Sequence, residues 1–171
     1  MFGSQLTNNV DGVFGDFHDS ILIVDAAQKK ISSSVGHGLM NSNLFSKGRF
    51  TQAEQNIQRL LNVLKSGDLK EFVKIAESEA LTLHSMMMTS DPYFLLMKPN
   101  TISIIEKIWE FRKETEIQAC FTLDAGPNVH LLYPDENKKE VKSFIESELI
   151  QFTVNNTVIH DMVGNGPEKI E

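Results

Sequence analysis

The chain has 171 residues, of which 41% are apolar and 8% aromatic, and this is enough to bury the core of one compact domain. Its 23 acidic and 16 basic residues give a formal net charge of -7 without a dense Lys/Arg cluster, so we expect no nucleic-acid partner. The apolar stretches are too short to cross a bilayer and the first residues lack a charged segment followed by an apolar one, so we expect a cytoplasmic protein without a membrane partner.

The first predicted elements are a lead-in and a short strand. Residues 1–18 are rich in glycine, asparagine and other polar residues without apolar periodicity, so we expect an irregular segment. Residues 20–25 form an apolar run with β-branched side chains, which predicts a buried strand. Residues 31–38 combine three serines with two glycines, which is typical of an extended piece that enters a loop.

Two amphipathic helices are predicted next. Apolar residues recur every three to four positions in the first helix, at Phe50, Ala53, Ile57, Leu60, Leu61 and Leu64. Gly67 can end this helix in a left-handed conformation, and the Asp68 carboxylate can accept backbone amide protons where the second helix begins. The second helix is predicted to run to about residue 87, which places His84 beside its buried stripe.

The second half of the chain predicts a helix, a hairpin, a helix and a strand. The third helix begins near Pro99, and its predicted inward residues are Ile102, Ile105, Ile108 and Trp109. Residues 117–123 and 129–133 are predicted strands joined by the connection 124–128. The fourth helix is marked by Val141, Phe144, Ile145 and Leu149. Residues 150–154 are predicted to form a closing strand.

This order of elements favours an α+β fold in which helices pack on one face of a mostly antiparallel sheet, close to the ferredoxin-like arrangement. The predicted organisation is a lead-in at 1–18, one domain at 19–154 and a tail at 155–171 whose composition is typical of a loop. A single cysteine, Cys120, cannot form an intramolecular disulfide, and no Cys/His spacing resembles a zinc site. We therefore expect no metal site in the chain.

The connection 124–128 carries the clearest functional signal. Its residues are Asp-Ala-Gly-Pro-Asn, in which Gly126 permits unusual backbone angles and Pro127 fixes the next one. The Asp124 carboxylate would therefore be rigidly held. On composition alone, a hairpin turn in which Asp124 only accepts backbone amide hydrogen bonds is the simpler interpretation.

Four segments of the chain resemble the C-terminal lobe of the diphosphomevalonate decarboxylases, a family of the GHMP kinase superfamily. Residues 121–130, Phe-Thr-Leu-Asp-Ala-Gly-Pro-Asn-Val-His, are similar to the strand, loop and strand at the end of the family's sheet. Residues 29–40, Lys-Lys-Ile-Ser-Ser-Ser-Val-Gly-His-Gly-Leu-Met, and residues 94–101, Phe-Leu-Leu-Met-Lys-Pro-Asn-Thr, resemble the bacterial subgroup. Residues 79–90 resemble the helix that ends in a histidine before the substrate-side loop.

The resemblance implies an activity and a set of site residues. In the family, ATP phosphorylates the 3-hydroxyl of (R)-5-diphosphomevalonate, and decarboxylation to isopentenyl diphosphate follows. It implies that Asp124 is the catalytic residue, able to accept or orient the hydroxyl proton. Ser32 and Ser33 are the substrate-binding candidates, with the alternative that they satisfy a strand end. His84 is a weaker substrate-binding candidate, and the alternative is an interior histidine that bonds a backbone carbonyl.

The resemblance also implies ATP and Mg²⁺, which the family binds mainly through its N-terminal lobe. A Gly/Ser-rich phosphate loop at a helix start has no counterpart in the sequence, so we expect no cofactor-binding residues in this chain. We expect a fragment or one half of a split enzyme, without decarboxylase activity alone and compatible with a homodimer. The alternatives are the lobe of another GHMP-type small-molecule kinase and a non-catalytic binding or dimerisation module.

Overall fold

The computed structural model describes residues 10–27 and 43–164, and its centre is a four-stranded sheet. The strands are β1 (His18–Leu22), β2 (Cys120–Leu123), β3 (Val129–Tyr133) and β4 (Val158–Met162). They lie in the order β2-β3-β1-β4, and each neighbouring pair is antiparallel. The predicted α+β class is confirmed, as is the hairpin formed by β2 and β3.

The described helices are α1 (Ser46–Ser66), α2 (Leu69–Met88), α3 (Pro99–Thr115) and α4 (Lys138–Phe144). The junction of α1 and α2 follows the prediction. Gly67 has a φ of 72° and its amide donates to the Val63 carbonyl at 2.9 Å, while the Asp68 carboxylate accepts from the Glu71 amide at 3.1 Å. No helix in the described part of the chain is long and apolar enough to cross a membrane.

The main core lies between one face of the sheet and helices α2, α3 and α4. Strand residues that alternate along β3 point into it, because successive side chains of a strand face opposite sides. The predicted fourth-helix residues are all buried in this core, and they are Val141, Phe144, Ile145 and Leu149. The stretch Ile145–Leu149 winds as a π-helical turn directly after α4.

A second, smaller core surrounds the segment before β1. Phe14 and Phe17 are 7% and 8% exposed, and their rings lie 5.2 and 5.4 Å from that of Phe72 in α2. Gly12–Phe14 forms a turn of 3-10 helix, and β1 begins at His18 rather than at residue 20. Apart from this turn, residues 10–17 contain neither helix nor strand, but aromatic side chains anchor the segment against α2.

The closing strand also differs from the prediction. Residues 150–154 were predicted to form it, but Ile150–Phe152 is a 3-10 turn. The chain then reverses at Asn155 and Asn156, whose φ values are 51° and 53°. Asparagine tolerates this left-handed region better than most residues, so the pair can redirect the backbone. The fourth strand follows the reversal and lies where the sequence predicted a loop.

Side chains as well as backbone connect β4 to β1. The register pairs Ser20 with His160, and the Ser20 Oγ lies 2.8 Å from His160 Nδ1. The same Oγ lies 2.8 Å from the Tyr133 hydroxyl on the opposite neighbour, β3. Ser20 is fully buried, so this polar group is satisfied by partners on both flanking strands.

The apolar pattern of α1 describes its packing only in part, since Leu60 and Leu64 pack against the smaller core. Phe50 and Ile57 are 46% and 55% exposed. Arg49 instead forms two hydrogen bonds with Glu79 of α2, at 2.5 and 3.3 Å, and Asn56 donates to the same carboxylate at 2.8 Å. Along this stretch, polar pairs make the contact that the apolar stripe was predicted to make.

Two predicted inward residues of α3 lie at the surface. Ile102 is 49% exposed and Trp109 is 41% exposed, whereas Ile104, Ile105 and Ile108 are buried. The interior role assigned to Trp109 is therefore wrong.

Candidate active site

The connection 124–128 leaves the sheet directly beyond a buried pair of residues. Leu123 and Val129 are the last partners of the β2–β3 register and are 6% and 0% exposed. The next residue, Asp124, is exposed. The hairpin therefore places a carboxylate at the boundary between the core and the surface.

The backbone of Asp124 is held by two hydrogen bonds to its carbonyl oxygen. The Gly126 amide donates to this oxygen at 2.8 Å. The Nε2 of His84, on α2, lies 3.1 Å from the same atom. A carbonyl oxygen can only accept, so His84 is the donor and carries its proton on Nε2.

His84 is well suited to act as a fixed neutral donor. Its side chain is 1% exposed, within the last turns of α2. Burial lowers the pKa of the ring, and the hydrogen bond to the Asp124 carbonyl opposes this effect only in part. The neutral ring with a proton on Nε2 is therefore the form that the site favours near neutral pH.

Thr101, in the first turn of α3, holds the far side of the loop. Its hydroxyl donates to the Pro127 carbonyl at 2.6 Å and accepts from the Lys98 amide at 3.1 Å. Thr101 is fully buried, so both hydrogen bonds are shielded from water. The start of α3 and the loop are thus joined through one side chain.

Asn128 fastens the end of the loop to the segment after β1. Its Oδ1 accepts from the amides of Val24 and Asp25 at 2.9 and 3.0 Å. The Asp25 carboxylate in turn forms an ion pair with Lys98. Because Lys98 also bonds Thr101, the anchors at the two ends of the loop are connected with each other.

The result is a backbone fixed at three points with an exposed carboxylate at its first residue. The three anchoring side chains come from α2, α3 and the loop itself, and they are His84, Thr101 and Asn128. Of the glycines in the described residues, Gly67 has a positive φ. Gly126 therefore does not adopt the left-handed conformation that its place in the loop suggested. The rigidity predicted for Asp124 comes from hydrogen bonds more than from the glycine. Chemically, such a carboxylate can accept or orient a proton of a bound molecule.

The other predicted site residues are Ser32, Ser33 and His84. Ser32 and Ser33 lie outside the described residues. His84 has the arrangement of the alternative interpretation, an interior histidine bonded to a backbone carbonyl, although that carbonyl belongs to Asp124. The sequence did not single out Thr101 or Lys98. The sequence feature that could have revealed them is Pro99 at the first position of a helix, followed two residues later by a threonine. A threonine at that position can cap the helix start.

The described residues do not by themselves fit a metal site. Across residues 10–27 and 43–164, no group of three or more His, Cys, Asp or Glu side chains is placed to hold a metal ion. Mg²⁺ prefers several oxygen ligands in octahedral geometry.

The chain is similar in sequence to members of one enzyme family. Residues 20–164 match the family described as the mevalonate 5-diphosphate decarboxylase C-terminal domain. A diphosphomevalonate decarboxylase of Candida albicans is 24% identical over 73% of this chain and 35% of its own length. A mevalonate 3,5-bisphosphate decarboxylase of Thermoplasma acidophilum is 26% identical over 82% of this chain and 31% of its own length. The chain thus spans about a third of the length of these relatives.

Solved structures share the fold at similar identity. The mevalonate diphosphate decarboxylase of Staphylococcus aureus has a TM-score of 0.83 at 22% identity, over 95% of this chain and 48% of that one. A structure that addresses how mevalonate diphosphate mediates ATP binding in the Enterococcus faecalis enzyme has a TM-score of 0.75 at 19% identity, over 87% of this chain and 43% of that one.

Proposed function

The chain belongs to the mevalonate 5-diphosphate decarboxylase family through that family's C-terminal domain, and on this premise we propose that Asp124 serves the ATP-dependent decarboxylation of (R)-5-diphosphomevalonate. The observation that carries the proposal is the exposed Asp124 carboxylate on a loop held by His84, Thr101 and Asn128.

The proposed reaction has two stages. ATP transfers its terminal phosphoryl group to the oxygen on C3, and the hydroxyl proton leaves. The C3–O bond then breaks as phosphate departs, and the bond from C2 to the carboxylate carbon breaks to release carbon dioxide. The electron pair of that bond becomes the double bond of isopentenyl diphosphate. Each stage depends on placing charged groups correctly, because phosphoryl transfer is mostly positioning and electrostatic stabilisation.

Asp124 acts in the first stage. A carboxylate within hydrogen-bond reach of the C3 hydroxyl accepts or orients its proton as the oxygen attacks phosphorus. A fixed backbone supports this role because the carboxylate then needs little reorganisation when substrate binds. In the same proposal, the hydroxyl of Ser32 or of Ser33 binds the substrate. Mg²⁺, when bound with ATP, neutralises phosphate charge, and no residue described in this chain is assigned to it.

A second substrate deserves a separate assay because of the Thermoplasma acidophilum relative. A mevalonate 3,5-bisphosphate already carries a phosphate on the C3 oxygen, so its decarboxylation needs no phosphoryl transfer. Asp124 would then have no hydroxyl proton to accept. The two substrates therefore predict different consequences of removing the carboxylate.

The test uses the 171-residue chain alone and a chimera. In the chimera, residues 20–164 replace the matching domain of the Staphylococcus aureus enzyme, whose fold they share. We expect no turnover from the chain alone. From the chimera with ATP and (R)-5-diphosphomevalonate we expect equal amounts of ADP and carbon dioxide. The 3,5-bisphosphate is assayed with and without ATP.

Variants of the chimera test the residue. Asp124→Asn should lower turnover by about 10²–10⁴-fold, the usual contribution of a general base, with ATP affinity nearly unchanged. Asp161→Asn, at an exposed carboxylate of β4, is the matched control and should retain activity. Unchanged turnover in Asp124→Asn would remove this residue from the mechanism.

The products also separate the alternatives. ADP without carbon dioxide would assign the chain to another small-molecule kinase of the superfamily. A folded chimera that binds ATP and releases neither product would favour a non-catalytic binding or dimerisation module. We place the reaction in the cytoplasm. A homodimer is the assembly to test by light scattering.

A further inference from the structure

The contact between α2 and the Asp124 carbonyl suggests a role for His84 beyond the site already described. We infer that His84 is a positioning residue, which sets the direction of the Asp124 carboxylate by fixing the peptide group that follows it and does not contact the substrate. This inference rests on the proposed function of Asp124.

Burial excludes a direct role for the ring at the surface. His84 is 1% exposed, and its Nε2 already donates to the Asp124 carbonyl at 3.1 Å. The proton on Nε2 is therefore in use within the protein. Asp124 itself is exposed. Asp124 therefore faces the solvent, while His84 holds the backbone of Asp124 from inside the core.

The bonded atom restricts a backbone angle on which the side-chain rotamer of Asp124 depends. The Asp124 carbonyl belongs to the peptide group between Asp124 and Ala125, and rotation of this group changes the backbone angle next to the α-carbon that bears the carboxylate. Two donors hold the group, the His84 ring and the Gly126 amide, the latter at 2.8 Å. The Gly126 bond is local to the turn, and we expect it to open more readily when the carbonyl loses its second donor. Within residues 10–27 and 43–164, the His84 bond connects this peptide group to a helix of the core.

The other anchors act on different atoms. Thr101 holds the Pro127 carbonyl, and Asn128 holds the segment after β1. Both lie after Gly126, so neither restricts the peptide group of Asp124 directly. Loss of His84 should therefore loosen the first residue of the loop while its end stays in place.

Three variants separate positioning from general stability. His84→Gln keeps an N–H donor near the place of Nε2. His84→Asn is polar but too short to reach the carbonyl, and His84→Leu has no donor. Asn56→Leu is the matched control, since Asn56 is 3% exposed and bonds Glu79 between α1 and α2, away from the loop.

The first measurement is amide hydrogen exchange on the 171-residue chain. We expect Gly126 to exchange at least about 10-fold faster, relative to the buried Leu131 amide, in His84→Asn and His84→Leu. His84→Gln and Asn56→Leu should leave this ratio near the wild-type value. An unchanged ratio in His84→Asn would overturn the inference. If His84→Leu fails to fold, the comparison of His84→Asn with His84→Gln still tests the inference.

The second measurement is kinetic and uses the chimera. His84→Asn should lower kcat by about 10–100-fold with KM within about 3-fold, because a small displacement of a reacting group reduces the rate more than it reduces binding. His84→Gln should restore most of kcat. A wild-type kcat in His84→Asn, or an equal loss in Asn56→Leu, would contradict the inference. If the wild-type chimera shows no turnover while Gly126 responds as expected, the proposed function fails and the structural role of His84 stands.

Discussion

The amide of Asp11 donates a 2.7 Å hydrogen bond to the carbonyl of Leu64, which ties the segment before β1 to the last turn of α1. The contact extends to side chains. A Cβ atom placed on Gly67 would lie 2.8 Å from Asp11 Cγ, closer than such atoms ordinarily approach. The left-handed cap of α1 and the segment before β1 are therefore fitted to each other.

Gly67→Ala should destabilise the protein by about 2 kcal/mol. The φ of 72° is unfavourable for a residue with a side chain, and the new Cβ would also displace Asp11. Gly48→Ala is the control, because Gly48 lies within α1 and a Cβ there meets nothing within 4 Å. It should stabilise the protein by up to about 1 kcal/mol. Urea denaturation measures the free energy of unfolding of both variants. The same change in Gly67→Ala and Gly48→Ala would contradict the prediction.

Phe14→Ala should cost about 3–5 kcal/mol, the usual range for a buried phenylalanine. Its ring is 7% exposed and packs against both Phe17 and Phe72. Phe50→Ala removes the same atoms from a side chain that is 46% exposed and should cost less than about 1 kcal/mol. Urea denaturation measures the free energy of unfolding of both variants. A similar loss of stability in the two would contradict the prediction.

Glu77→Gln should destabilise the protein by about 1–3 kcal/mol. Glu77 is 8% exposed, and its carboxylate accepts from the Trp109 indole at 2.9 Å and pairs with Arg112 at 2.7 and 3.0 Å. Neutralising it leaves the guanidinium without its charged partner. Trp109 is the only tryptophan in the sequence, so its fluorescence follows unfolding directly. Glu114→Gln, at an exposed position of α3, should change stability by less than about 0.5 kcal/mol.

Acid should destabilise the protein partly through His84. The pKa of the folded ring lies below its ordinary value near 6.5, mainly because the ring is buried, so the unfolded chain binds this proton more readily. The stability that the neutral ring contributes is present above about pH 6.5 and is lost as the pH falls through the folded pKa. His84→Gln should therefore lose less stability than the wild type between pH 7.5 and pH 5. If the urea midpoints of the wild type and His84→Gln decreased in parallel across that range, the pH dependence could not be assigned to His84.

The sequence predicted the parts of the fold that local chemistry determines. Gly67, Asp68 and Pro99 mark helix ends, because each suits one backbone position of a helix terminus. The hairpin around 124–128 was predicted for the same reason. Asp124 was singled out by both its loop and its resemblance to the family.

The parts that depend on tertiary contacts could not be predicted. Residues 150–154 alternate apolar and polar side chains, yet the π-helical turn before them and the reversal at Asn155 and Asn156 place the strand later. The polar pairs around Glu79 involve residues distant in sequence, so no periodicity reveals them. The same is true of the bond from His84 to the Asp124 carbonyl, which joins residues 40 positions apart.

The position of β4 has a consequence for any shortened version of the protein. β1 is covered on one side by β3 and on the other by β4. A version that stops at residue 154 would keep the loop and its three anchors, but β1 would become the outer strand with a row of unpaired amide and carbonyl groups. Such an edge can recruit a strand from another molecule and start aggregation. In the described structure β4 takes this edge position instead, and it covers β1 without contributing a residue to the loop or its anchors.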